Sequence, residues 1–577
     1  MQQHPIKSAP DALPLTKPTV ARNFLETLAQ NGVRVAFGVA GGLISPVYDA
    51  LRDVHGIRLV STRDETMAVY FAMGEYLATG VPALVLTTSG PGVTSVVTGL
   101  AAAMAEEIPA IVLGGEVPST ATSRAAFQDA STNSLDVVTM LRTVTRWSTR
   151  LERPAASRAV AQQALATATG DRPGPVFVSL PMDVARTDAA HRVEFSRSSG
   201  RRAAPSQAAC RQIASDLLRA RRPLIVAGNG ARGASAELVD FARRARVPVV
   251  VTAHAKGVFP ESDPLYLGVI GYGGHSAALS YLAEGPDVVC VVGSRLGELA
   301  TNGWSLPLAG SKATYQIDRD PLFIGRNYPV DLGLVANAED ALALMASLTE
   351  STDPDDSGVH RIAQVSQLPR SPVPPHTSAR GVHPGAALSA LQAAFPDARW
   401  LSDIGEHCAH AVHHLRVEKP EDFRAMLGLA AMGSGMGAAM GLRRASKDRP
   451  VVAICGDGGF AMHAGELLTC VEHGIDVVLA VMNDGRWNMV DHGFRSVYGR
   501  VPEGLPARIA NLVRVAEGFG ALGLTVAGPG DLEPERLREL AFRGRPLVLD
   551  IRIDPTIALS PDSRSASLRK ATFGGAS

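Results

Sequence analysis

Cysteine is scarce in this chain: five among 577 residues, at Cys210, Cys290, Cys408, Cys455 and Cys470. No Cys-x-x-Cys pair occurs, so the spacing supports neither a disulfide framework nor a zinc site and suits a reducing, cytoplasmic setting. Net charge is missing as well. Lys+Arg and Asp+Glu both number 56, which removes the basic face of a nucleic-acid binder. No run of 18 apolar residues occurs, so no membrane span is expected. Residues 1–18 lack the apolar core of a signal peptide and read as a flexible tail. A hydrophobic fraction of 46% against 19% charged residues excludes a chain too polar to bury a core.

What the chain has is a repeated alternation of helical and apolar-strand patterns. Val20, Phe24 and Leu28 recur at helical spacing and predict a helix over 19–31 that ends at Gly32. Strands at 33–39, 57–62, 83–88 and 109–113 then alternate with helices at 44–53, 66–79 and 92–106. Further strands are expected at 223–227, 247–252 and 288–292, and again at 399–402, 450–455, 476–482 and 547–552. Continuous apolar strands alternating with helices imply parallel sheets covered on both faces. The expected organisation is three successive doubly wound α/β domains, at 19–187, 206–349 and 383–577. Linkers are expected at 188–205 and 350–382, the second rich in Pro, Ser, Asp and His.

The segment 450–490 carries the most chemistry. An apolar strand ends in Gly456-Asp457-Gly458-Gly459, a helix is expected over 463–473, and a second strand ends in Asn483-Asp484-Gly485. In a strand–helix–strand unit both acidic turns sit at the carboxyl ends of neighbouring parallel strands, where open α/β sheets bind ligands. Two oxygen ligands suit magnesium held together with substrate phosphates, and glycine lets the backbone approach a phosphate closely. The plainer explanation is that Gly and Asp favour turns. Gly228-Asn-Gly-Ala-Arg-Gly233 fits a dinucleotide-binding fingerprint, but no acidic residue ends the next strand, and a tight strand–helix turn explains it. His410, His413 and His414 read as surface or core residues, because nothing completes a metal site around them.

Gly-Asp-Gly followed about 25 residues later by Asn-Asp resembles the signature of thiamine-diphosphate-dependent enzymes. Phe37-Gly-Val-Ala-Gly-Gly42, Arg63-Asp-Glu65, Thr88-Ser-Gly-Pro-Gly92, Ala126-Phe-Gln128, Arg172-Pro-Gly-Pro175 and Leu180-Pro-Met-Asp-Val184 resemble the first domain of the acetolactate synthase branch. Gln316-Ile-Asp318 and Gly325-Arg-Asn-Tyr-Pro329 resemble the end of its central domain, and Met432-Gly433 its cofactor-binding domain. The resemblance implies thiamine diphosphate and Mg2+ as cofactors, with FAD possible in the central domain. It implies Glu65 as the carboxylate facing the aminopyrimidine across a dimer interface, with Phe127 and Gln128 on the substrate side. Asp457, Asp484 and the Arg486 carbonyl match the metal ligands, with Asn483 the competing choice for the second. Gly405, Glu406, His407, Met432, Gly456, Gly458, Gly459 and Met489 match residues around the cofactor. Glu406 stands where this branch commonly has Gln; a carboxylate there repels a diphosphate unless it points away or is protonated.

The function implied is decarboxylation of a 2-oxo acid, pyruvate first, and transfer of the acyl unit to a second carbonyl compound by a homodimer or homotetramer. The alternative is a non-ligating decarboxylase, for which no adjacent His pair is found in the first domain. A nicotinamide-dependent oxidoreductase using the glycine turn and a non-catalytic relative are further alternatives. Gly493 stands where the biosynthetic synthases commonly carry Trp, Ser95 where Asn is common, and Arg146 where Lys is. These departures suggest an acceptor other than that of the housekeeping synthases.

Overall fold

The computed structural model describes residues 18–189, 204–349 except 306 and 309, and 380–559 except 506, 507 and 509, with Val365, Leu368, 377–378, 567–569 and 572 besides. Most of the expected tail and of both expected linkers lies outside these residues. The chain divides into two compact units, Met1–Arg197 and Ser198–Ser577.

The first unit opens as its pattern dictates. Thr19 caps the helix Val20–Gln30 by accepting the Arg22 N–H, and Val20, Phe24, Leu25 and Leu28 are buried along one face. Its sheet contains β1 (Val35–Gly38), β2 (Arg58–Ser61), β3 (Ala83–Thr87), β4 (Ala110–Glu116), β5 (Trp147–Arg150) and β6 (Val176–Pro181). All pair in parallel in the order β2-β1-β3-β4-β6-β5. The helix expected over 92–106 is broken at Val96 into Pro91–Ser95 and Val97–Glu106. The Thr66 hydroxyl donates to the Ser95 carbonyl at this break.

The second unit holds two sheets. β7 (Pro223–Ala227), β8 (Val249–Thr252), β9 (Tyr266–Ile270), β10 (Val288–Val292), β11 (Ala313–Asp318) and β12 (Leu332–Val335) lie in the order β12-β11-β10-β7-β8-β9. After a short antiparallel pair, β13 (Thr377–Ser378) with β14 (Gly381–Val382), come β15 (Arg399–Ser402), β16 (Phe423–Ala425), β17 (Val451–Gly456), β18 (Val478–Asn483), β19 (Leu522–Val526) and β20 (Leu547–Arg552). Their order, β16-β15-β17-β18-β20-β19, repeats the topology of the first sheet. Each of the three sheets is six-stranded and parallel, and its inner strands are almost entirely apolar and buried, as a sheet covered by helices on both faces requires, whereas edge strands such as β2, β5, β12 and β19 are partly exposed.

The strand order reverses between β15 and β17, and such a switch point opens a crevice at the carboxyl ends of the strands. The turns after β15, β17 and β18 therefore converge there. The expected helix over 463–473 is preceded by another, Asp457–His463, and begins at Glu466. Asp457 thus opens a helix directly from its strand.

Candidate active site

Asp457 and Asp484 follow neighbouring strands in register, with Gly456 opposite Met482. Asp457 accepts the Gly458 N–H at 2.8 Å and, through its other oxygen, the Gly485 N–H at 3.1 Å. Asp484 accepts the Arg486 N–H at 3.0 Å. Burial, then the charge of Asp457, pushes the Asp484 carboxyl up to about 7; burial likewise raises Asp457. Two desolvated carboxylates, one of which raises the proton affinity of the other, are a pair that a divalent cation relieves. Asn483 is used otherwise. Its amide donates to Asp550 at 2.7 Å, and its oxygen accepts the Gly485 N–H.

These turns enclose a cavity of about 330 Å³. Gly405, Glu406, His407, Met432, Gly456, Asp457, Gly458, Gly459, Asp484, Arg486 and Met489 all line it, whereas Asn483 does not. The glycines are needed for space. A Cβ on Gly458 would lie 2.7 Å from Trp487 Nε1, and one on Gly459 would lie 2.7 Å from Asp403 Oδ2. Gly405 turns at φ +147°, and the Tyr272 hydroxyl of the central sheet region donates to its carbonyl at 2.6 Å. Several polar atoms on this wall are buried without a hydrogen-bond partner, Glu406 Oε2 and His407 Nε2 among them. Burial holds the His407 imidazole down to about 4. A cradle of glycines, two carboxylates and an orphaned imidazole nitrogen fits a diphosphate with its cation.

Some of the site was not visible in the sequence. Asp403 is fully buried at the end of β15 and accepts the Gly433 N–H at 2.6 Å and the Gly435 N–H at 3.3 Å. It thereby pins the turn that presents Met432 into the cavity. Burial pushes its carboxyl up to about 6. Asp403 stands two residues before Gly405, and that proximity is its only sequence signal. Trp487, Ile553 and Ile557 complete the apolar wall. His492 engages Glu406, so this carboxylate neither points away from the cavity nor stands alone. Gly493 is buried within the helix Asn488–Tyr498 and is not on the cavity wall; Leu568 would lie 3.4 Å from a Cβ there. His410 is buried and lines the cavity, His413 and His414 are partly buried, and among the described residues no group of three His, Cys, Asp or Glu side chains is placed to hold a metal.

Glu65, Phe127 and Gln128 lie in the first unit, gathered around the turn after β3. Glu65 opens the helix Glu65–Thr79 behind the Asp64 cap. Its Oε1 would lie 3.2 Å from a Cβ on Gly92, and burial raises its carboxyl. The Ser89 hydroxyl donates to the Gln128 carbonyl at 2.7 Å, and Gln128 is held at φ +58°. Phe127 beside it is 86% exposed.

Residues 18–137 match the "Thiamine pyrophosphate enzyme, N-terminal TPP binding domain", 210–345 the central domain and 403–551 the C-terminal TPP binding domain of the same enzymes. The chain is 31% identical over 559 residues to the "Probable acetolactate synthase large subunit" of Methanocaldococcus jannaschii, covering 93% of this chain and 92% of that one. The chain belongs to the thiamine pyrophosphate enzyme family. Within it, the chain is 28% identical to the acetolactate synthase large subunit of Haemophilus influenzae, over 94% of this chain and 95% of the other. It is 29% identical to isozyme 3 of Escherichia coli, over 92% and 94%. The three matches fall one on each of the three parallel sheets, although β5, β6 and β15 lie outside the matched residues.

Proposed function

We infer that this enzyme is a thiamine-diphosphate-dependent carboligase that decarboxylates a 2-oxo acid, pyruvate first, and joins the acyl unit to a second carbonyl compound. The observation that carries this reading is the glycine-lined cavity at the switch point, with Asp457 and Asp484 on adjacent strand ends, in a chain of the acetolactate synthase-like branch. When bound, the cofactor supplies the electron sink for decarboxylation; the protein supplies position and electrostatics. Asp457, Asp484 and the Arg486 carbonyl would hold Mg2+ and, through it, the diphosphate. Asp484 is favoured over Asn483 because the Asn483 side chain is spent on Asp550 and Gly485. Met432, on the turn that Asp403 pins, would support the bound cofactor. Glu65 would face the aminopyrimidine of the bound cofactor and hold or release a proton there, a task that the raised proton affinity conferred by burial suits.

Glu65 acts across two protomers in the arrangement the resemblance implies, so the enzyme works as a homodimer or homotetramer. The turn at 228–233 spends its N–H groups within the chain, Gly228 on Val292 and Gly230 on Gly293, which supports a structural turn over a flavin cradle. Five buried cysteines, none in a disulfide, support the cytoplasm as its compartment.

Incubation with pyruvate, thiamine diphosphate and Mg2+, followed by mass spectrometry with and without aldehyde and ketone acceptors, tests the reading. Ligated products are expected, and acetaldehyde alone with every acceptor would replace it with the decarboxylase. Asp457→Ala is expected to abolish Mg2+-dependent binding of thiamine diphosphate in calorimetry, because the diphosphate loses its bridging cation.

A further inference from the structure

Three carboxylates face the cofactor cavity, and a cation between Asp457 and Asp484 answers only two of them. Glu406 is the third. It sits in the first turn of the helix Glu406–His414, lines the same cavity, and its charge reaches Asp484. Its Oε2 is buried with no partner, while its Oε1 lies 2.9 Å from Nδ1 of His492. The opposite ring nitrogen, Nε2, lies 3.1 Å from the Pro555 carbonyl oxygen. A carbonyl only accepts, so Nε2 carries a hydrogen and donates to it. Nδ1 then faces a carboxylate oxygen, and the two share one further proton. With that proton in place the pair carries no net charge. The hydrogen bond to Glu406 also raises the proton affinity of His492. Around the ring, Asp491 is engaged by Arg495 at 2.5 Å, and Arg486 and Asp484 stand on the turn before its helix.

We propose that His492 is a positioning residue for cofactor retention: it supplies the countercharge that lets a cavity carrying Glu406 admit an anionic diphosphate. This inference rests on the reading of the cavity as the thiamine diphosphate site and adds a requirement set by Glu406. Without the imidazolium, an uncompensated carboxylate lies beside the incoming diphosphate, and juxtaposed like charges are strongly unfavourable. If Glu406 is itself made neutral, the countercharge is no longer needed.

Calorimetric titration of the full chain with thiamine diphosphate at fixed Mg2+ and neutral pH tests this. His492→Gln is expected to weaken binding by about tenfold or more. The double variant Glu406→Gln/His492→Gln is expected to return affinity to within about threefold of the wild type, a coupling of the kind that double-mutant cycles isolate. A purely structural role for the helix carrying His492 would leave the double variant as weak as the single one or weaker, and that result overturns the inference. So does His492→Gln binding as tightly as the wild type. A wild-type chain that binds no thiamine diphosphate overturns the reading of the cavity itself, and this inference falls with it; the two failures are told apart by the wild-type titration alone.

Discussion

Asp403 shows how much one buried carboxylate can decide. It touches no ligand-facing space of its own, yet its two oxygens hold the Gly433 and Gly435 N–H groups and so place Met432. Asp403→Ala leaves both donors buried and unpaired, at a cost of about 1–3 kcal/mol each. We expect urea midpoints to fall and thiamine diphosphate affinity to weaken together. A stable variant with unaltered affinity would show that the Met432 turn holds itself. Glu65 belongs to the same scale. Glu65→Gln preserves size and hydrogen bonding but removes the proton-exchanging carboxylate. Turnover is expected to fall by about 100- to 10,000-fold with cofactor affinity retained, and steady-state kinetics beside calorimetry separates the two. Glu65 was legible in the sequence only through the motif around it; taken alone it is an acidic residue in the first turn of a helix, where the dipole favours one anyway. Glu406 was legible as a departure, but its partner His492 was not, because 86 residues separate them.

At the scale of elements, the helix Glu406–His414 is gripped from the central domain. His275 accepts the Val269 N–H at Nδ1 and donates from Nε2 to the His413 carbonyl at 2.9 Å, which settles its neutral tautomer. Burial holds its pKa down to about 3. The unfolded chain protonates near 6.5, whereas the folded chain resists until about pH 3. The stability this neutral ring preserves is therefore complete above pH 6.5 and is lost as pH falls toward 3. Between pH 7 and pH 5 the wild type should lose about 2 kcal/mol that His275→Gln does not, at roughly 1.4 kcal/mol per pH unit below 6.5. Denaturant unfolding of both proteins at the two pH values measures the difference; parallel changes would mean that the ring titrates normally. The divided helix near Val96 belongs to the same scale. A hydroxyl from the helix Glu65–Thr79 donates to the Ser95 carbonyl at the break, and no periodicity along 92–106 encodes that contact.

For the whole molecule, the proposed role of Glu65 at a site shared between protomers predicts that assembly is a condition of activity. Specific activity should fall on dilution through the dissociation range, and sedimentation under assay conditions should find activity only in dimers or larger species. A fully active monomer would reject the shared site.

The alternation of short apolar strands with amphipathic helices determined the three parallel sheets, because a parallel strand buried on both faces must be apolar throughout. The Gly-Asp-Gly and Asn-Asp turns were equally explicit, since strand ends and their turn residues are local properties, and eleven residues read from them and from nearby motifs meet around one cavity. Only the tertiary structure decided which side chains compensate one another there. That Asp403 pins the Met432 turn, that Asn483 turns to Asp550 while Asp484 faces the cavity, and that His492 answers Glu406 all follow from the β15-β17-β18 neighbourhood and the loops that cross it. Charge compensation acts over a few ångströms of space, and those ångströms span tens of residues of chain.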